Sequence, residues 1–182
     1  SIILFCFALA GCCAPQSFVD PSIPKITYED LAKRPEPLRL KLFVEFLRQG
    51  EHFPKADPVL RDNVERILRA SGLIVPTEDQ PVGEIKVIVN NFGDTGTAVA
   101  KGFGTGLTLG LIGSTVMDGY EMEISITANG KTFSRSAIKH AIYTAIGNTS
   151  LPPGVEAIPP NTAFERALEQ MLLKALSDMQ KS

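Results

Sequence analysis

The chain has 182 residues, of which 44% are hydrophobic and 21% charged, and a formal net charge of −2. That is enough apolar mass for one globular core, and the balance lacks the basic excess of a dedicated nucleic-acid binder, so no nucleic-acid partner is expected. With 3 Cys and 2 His, neither a disulfide framework nor a zinc ribbon can be built, and no metal or cofactor is expected.

The N-terminal run Ile2–Ala10 is apolar and uncharged. It is too short for a bilayer-spanning helix, which needs roughly 17–25 residues, and it fits the apolar region of a secretory signal. It ends in Leu9-Ala10-Gly11-Cys12, followed by Cys13. Small residues before a Cys, directly after an apolar run, resemble the lipobox of bacterial lipoproteins. The resemblance covers four residues. It implies a signal peptide over residues 1–11, cleavage between Gly11 and Cys12, and a fatty-acylated (palmitate-bearing) Cys12 as the lipid attachment site. A signal starts with Met and basic residues, so further residues are expected before Ser1. Once Cys12 is acylated, Cys13 has no partner for an intramolecular disulfide. Cys13, rather than Asp, follows the lipidated position; by analogy with enteric lipoproteins this implies the outer membrane, facing the periplasm.

Residues 14–37 contain Pro15, Pro21, Pro24, Pro35 and Pro37 among polar residues. Proline denies helix and central strand, so 12–37 reads as lipid anchor plus extended tether, with one helical turn over Tyr28–Lys33. The globular domain is expected over 38–182. Leu38–Gln49 alternates, with Leu38, Leu40, Leu42, Val44 and Phe46 on one face, which predicts a half-buried strand. Asp57-Pro58 predicts a helix start with Asp57 as N-cap, an apolar stripe of Leu60, Val64, Ile67 and Leu68, and a C-cap at Gly72. Arg61, Glu65, Arg66 and Arg69 fall outside that stripe and read as a solvated face. Glu84–Asn91 and Tyr120–Thr127 alternate as strands. Asn129-Gly130 predicts a type I′ hairpin turn into a partner strand, Thr132–Thr144. Thr162 and Glu165 form a capping-box pattern ahead of a helix that buries Phe164, Leu168, Met171, Leu172, Ala175, Leu176 and Met179.

The expected fold class is α+β: a two-layer sandwich, with a four-stranded, largely antiparallel sheet and two helices on one face, in the order β-α-β-β-β-α. This order is similar to that of small envelope lipoproteins, namely the lipopolysaccharide-assembly lipoprotein and the auxiliary lipoproteins of lipid-transport systems. The resemblance spans about 140 residues, is one of element order, and carries no site residues.

Between the second and third strands lies a glycine-rich stretch in which Gly102, Gly106 and Gly110 recur every fourth residue among Leu107, Leu109 and Leu111, with no charge from Phe103 to Val116. A phosphate loop is excluded, because no Lys-Ser/Thr pair follows and the G-x-G-x-x-G spacing is absent. Three readings remain: a buried loop, a membrane-contact segment, or a packing surface of the small-xxx-small kind.

Catalytic residues are not evident. His52 and His140 have no second ligand at metal spacing. Ser134 and Ser136 fall near His140 on one strand face, without a nucleophile elbow. Asp94 and Asp118 flank the glycine-rich stretch as turn residues. The leading expectation is a non-catalytic, membrane-anchored envelope lipoprotein, an accessory or scaffold in envelope assembly, transport or secretion, with an envelope protein or itself as partner. The alternatives are an oligomeric ring- or pore-forming lipoprotein that uses segment 102–113, and a periplasmic hydrolase that uses His140.

Overall fold

The computed structural model describes residues 15–93, 114–147 and 151–181. The elements are β1 (Gln16–Val19), β2 (Leu38–Arg48), β3 (Glu51–His52), α1 (Asp57–Ser71), β4 (Ile74–Pro76), β5 (Gly83–Gly93), β6 (Ser114–Ala128), β7 (Lys131–Ile146) and α2 (Pro160–Gln180), with 3-10 turns at Tyr28–Asp30 and Pro54–Ala56. The fold is α+β. Its sheet has seven strands among the described residues, in the order β1-β7-β6-β5-β2-β3, with β4 also on β2. The expectation of four strands is corrected: β1, β3 and β4 have four, two and three residues, too few for alternation to register in a sequence.

Pairing is antiparallel for β1–β7, β2–β3, β5–β6 and β6–β7, and parallel for β2–β4 and β2–β5. The long link that a parallel β2–β5 pair requires is supplied by α1. Inward residues of three strands (Leu40, Leu42, Ile85, Val87, Met122 and Ile124) share one buried cluster with Leu60, Val64, Ile67 and Leu68 of α1 and Leu168, Met171, Leu172 and Leu176 of α2. Both helices therefore cover the same sheet face, as the periodicities predict.

The start of α1 differs from expectation. Ala56 is the N-cap and makes no side-chain cap bond. The Asp57 carboxylate instead accepts from Phe46 N–H at 2.8 Å and contacts His52 Nε2 at 2.7 Å. The reason lies in the outer edge of β2, whose backbone groups need partners. Leu40 O accepts from Thr77 N–H and Phe46 O from Phe53 N–H. Leu42 O accepts from Arg61 at 2.7 Å, so Arg61 is not simply a solvated charge; Arg69 likewise donates to Pro76 O. Short flanking strands and helix side chains together blunt an edge that would otherwise be open to pairing. The far end of α1 is as predicted, with Gly72 left-handed at φ 69°.

The β6–β7 turn has positive φ at both Asn129 (52°) and Gly130 (73°), as a type I′ turn demands. The capping box at Thr162 and Glu165 does not form, because α2 begins earlier, at Pro160, after an N-cap at Pro159 with no side-chain bond. Pro at the first position supplies the helical φ and has no N–H to satisfy. On the sheet face away from the helices, four ion pairs form: Lys86–Glu45 at 3.4 Å, Lys139–Glu121 at 3.6 Å, Arg39–Asp79 at 3.2 Å and Lys41–Glu78 at 3.0 Å. Exposed pairs of this kind contribute about 0–1 kcal/mol each.

The proline-rich segment is the largest correction. Residues 16–37 are not a free tether. β1 extends the sheet beyond β7, Phe18 is 1% exposed, and Leu31 is buried in the main cluster. Pro21 and Pro24 deny the ladder only after Val19; there the chain leaves the sheet and crosses as a strap. It is held to α2 by Ile26 N–H on Gln170 Oε1 and by a two-way contact between Ala32 and Gln180.

Candidate functional site: a cleft beneath the strap

β1 has four residues where its partner β7 has sixteen, so most of β7 runs past the end of β1. The strap covers part of the gap between this uncovered edge and α2. One cavity of about 470 Å³ is lined by Asp20, Lys25, His140, Glu156, Arg166 and Glu169, among others. A second, of about 240 Å³, continues toward Ser136, Ala137, Lys174 and Asp178. The two share Ile23, His140 and Gln170, which makes them parts of one cleft.

His140 faces this cleft because of a bulge. Ile124 pairs with Arg135 but Met122 pairs with Ile138, so Ser136 and Ala137 oppose the single residue Glu123. The extra residue reverses the strand's parity. Before it, Phe133 and Arg135 lie opposite the inward Ile126 and Ile124; after it, Ile138 and His140 lie opposite Met122 and Tyr120. Ala137 carries φ 55°, an uncommon conformation for a residue with a Cβ. The expectation that Ser134 and His140 share a face is therefore corrected: Ser134 pairs with Ser125 on the outer face. Ser136 remains near His140, on the rim of the smaller cavity.

His140 is 2% exposed. Its Nδ1 lies 3.0 Å from Ala141 N and 3.2 Å from Ala141 O. That carbonyl also accepts from Asp20 N–H at 2.9 Å, and because a carbonyl has two lone pairs the ring tautomer sets whether Nδ1 accepts from Ala141 N–H or donates to Ala141 O. Burial holds the His140 pKa below the ordinary histidine value, outweighing the opposing pull of the Ala141 backbone contact and the Asp20 charge. The folded state thus resists protonation more than the unfolded chain does. Stability from this residue is present above about pH 6.5 and is lost as pH falls below it, because the unfolded chain then binds more protons. His140→Asn is expected to flatten that part of the stability profile; denaturant melts of both proteins between neutral and mildly acid pH measure it, and parallel profiles would refute the assignment.

Asp20 is the residue that sequence reading missed. It is 2% exposed. Its Oδ1 accepts from Ser22 N–H at 2.8 Å and Ser22 Oγ at 2.6 Å, while Oδ2 is buried without a hydrogen-bond partner among the described residues. The Asp20-Pro21-Ser22 string announces a turn and nothing announces burial. Elsewhere in the cleft, Arg166 pairs with Glu156 at 2.8 Å. Glu169 accepts from Tyr28 OH at 2.7 Å. Burial, reinforced by the Glu169 contact, raises the Tyr28 phenol to about 12.

The other sequence candidates lie apart. His52 is on β3 against Asp57, and Asp118 is on β6 opposite Ile142. Cys12, Asp94 and the segment with Gly102, Gly106, Gly110, Leu107, Leu109 and Leu111 fall outside the described residues. Among the described residues there is no group of three or more His, Cys, Asp or Glu that could hold a metal ion. No protein-family model matches the chain, and no curated protein matches it.

Proposed function

We propose that the protein is a lipid-anchored lipoprotein of the bacterial envelope, acylated at Cys12, with a non-catalytic accessory or scaffolding role in envelope assembly, transport or secretion and its periplasm-facing body held against the membrane. The observation that carries this reading is the placement of chain roots. Gln16 pairs with Ala145, and Ala145 pairs on its other side with Thr115. Neighbouring strands lie about 4.8 Å apart, so Gln16 and Thr115 sit roughly 10 Å from each other at one end of the sheet. The first root leads back to Cys12, four residues away, a span of at most about 14 Å. The second leads back into the uncharged run that starts at Phe103. Ile146, half-exposed, lies at the same end, opposite Ser114.

An acyl anchor and an uncharged glycine- and leucine-rich segment rooted at one end of a domain make that end the natural membrane-facing one. Each buried acyl methylene contributes about 0.8 kcal/mol, and two or more chains give stable anchoring. The nearness of Cys12 to β1 supports a body resting at the surface rather than one on a long leash. Among the described residues no helix is long and apolar enough to cross a membrane.

The test is metabolic labelling with a fatty-acid probe of the chain expressed behind a bacterial signal sequence. Label is expected on the wild type and on Cys13→Ala, and none on Cys12→Ala, which should also leave the membrane fraction. Equal labelling of Cys12→Ala and wild type would remove the basis for the proposal.

A further inference from the structure

Away from the strap cleft, at the end of the sheet where β7 begins, the two layers part. Phe133 lies opposite the inward Ile126 and so faces the helix layer, yet it is 46% exposed. Beside it, a cavity of about 230 Å³ opens between the sheet and the last turn of α2. Ile74, Ile126 and Leu176 are its buried floor, Phe133 and Met179 are nearer the surface, and Arg34 is exposed at the mouth. Among the described residues that line it, Arg34 carries the only charge.

The end of the strap fixes that arginine. Leu31 is buried in the core, Ala32 exchanges two bonds with Gln180, and Leu38 N–H donates to Leu73 O at 2.8 Å. The short crossing between these anchors contains Pro35 and Pro37, which narrow its freedom further. Arg34 Nε makes a long 3.4 Å bond to Glu36 O, and the two terminal nitrogens have no hydrogen-bond or ion-pair partner among the described residues. By contrast, Arg39, Arg61, Arg69, Arg135 and Arg166 each commit a terminal nitrogen to a carbonyl or carboxylate.

We propose that this cavity binds a small hydrophobic carboxylate, with its hydrocarbon against Ile74, Ile126 and Leu176 and its carboxylate on the free fork of Arg34. Apolar walls with one cation at the mouth match an anion that carries a single short chain. A guanidinium fork fits a carboxylate with two parallel charge-assisted bonds. An apolar cavity of about 150 Å³ binds benzene, so this one has room for a short alkyl chain and not for a two-chain lipid. A peptide end fits less well, because its amides need partners. Besides Arg34, Gln180 is the polar residue in the lining, and both ends of its amide are taken by Ala32. Phe133 and Ala145, which pairs with Gln16, lie toward opposite ends of β7, roughly 40 Å apart at about 3.3 Å per residue. The site therefore does not depend on the anchoring reading.

The experiment is NMR at neutral pH on the full 182-residue chain in phosphatidylcholine nanodiscs, following the methyl signals of Ile74, Ile126 and Met179. The probe is sodium octanoate, with octanol and octylammonium chloride as neutral and cationic counterparts and sodium acetate as the chainless anion. Octanoate should move all three signals saturably, octanol and octylammonium should bind several-fold more weakly, and acetate should do nothing. Arg34→Gln, at an exposed position, should weaken octanoate roughly tenfold, the scale of one charge-assisted bond, and leave octanol unchanged. Met179→Trp should fill the cavity and abolish the response; if it does not fold, the Arg34→Gln comparison decides. No saturable shift with octanoate, equal affinity for octanol or octylammonium, or an unaltered octanoate affinity in Arg34→Gln would each overturn the proposal. So would tighter binding of acetyl-Leu-Leu, which would assign the cavity to a peptide end.

Discussion

Phe18→Ala is expected to lower the stability of the chain by about 3–5 kcal/mol, the usual loss for a fully buried Phe, and to lower Tm by roughly 10 °C for a domain of this size. Phe18 is 1% exposed and stacks on Tyr143, with ring centroids 5.3 Å apart and planes 17° from parallel. It sits with Ala141 and Tyr143, and with Met117, Leu151 and Val155 packed around them, in a small apolar cluster separate from the main core. Its register partner is Tyr143, whereas the next residue, Val19, pairs with Ile142, which packs on α2. Alternation therefore puts Phe18 on the face away from the helices. Removing the ring uncovers Tyr143, whose phenol burial raises to about 12, and loosens β1. Loss of β1 would add Ile142–Ala145 to the part of the β7 edge that β1 already leaves unpaired and open to other chains, so the variant should also aggregate earlier on heating. Denaturant titration and light scattering measure the two effects. A stability change within about 0.5 kcal/mol, typical of surface substitutions, would mean that β1 is not part of the folded body.

Gly83→Ala is the second large expectation. A Cβ built on Gly83 would lie 2.0 Å from Thr127 O and 2.9 Å from Ala128 Cα. Both are backbone atoms of the neighbouring strand, held by the Gly83–Ala128 and Glu84–Thr127 pairs, so no flexible side chain can yield. The backbone must move, and the expected cost is about 3 kcal/mol, at the upper end for overpacking. The damage should be local first. Amide exchange should accelerate at the start of β5 and the end of β6 before it does at the bulge or at β1. A variant as stable as the wild type would show that the two strands do not approach so closely there.

The elements with enough residues to display a period were legible in the chain itself. Leu38–Arg48, Gly83–Gly93 and the second half of Ser114–Ala128 alternate, the stripes of α1 and α2 repeat at helical spacing, and Asn129-Gly130 and Gly72 carry backbone chemistry that few other residues tolerate. These signals are local, because they come from the pleat, the helical turn and the φ preference of single residues. They also sufficed to place two helices on one face of a sheet. The lipobox resemblance at Cys12 is likewise local, and it is the only pointer to function in the sequence read by itself.

The cleft depends on relationships that have no local period. Asp20 and His140 are brought together by β1 pairing with the last strand of the sheet, across more than a hundred residues. A four-residue strand between two prolines looks like linker until a partner edge is available to accept it. The prolines announced the absence of ladder hydrogen bonds but not the strap that results when Leu31 and Ile26 pack onto the body. The parity of β7 was also hidden, because a single inserted residue at Ser136–Ala137 changes which side chains face in, and composition does not mark where a bulge falls. What the sequence by itself determined were the long elements and their buried faces, since each follows from nearest-neighbour geometry. The tertiary structure alone decided that β2 and β5 run parallel, that the proline-rich segment is a strap, and that His140 and Asp20 share a buried cleft, because register and strand partnership are set by contacts between distant segments competing for the same edge.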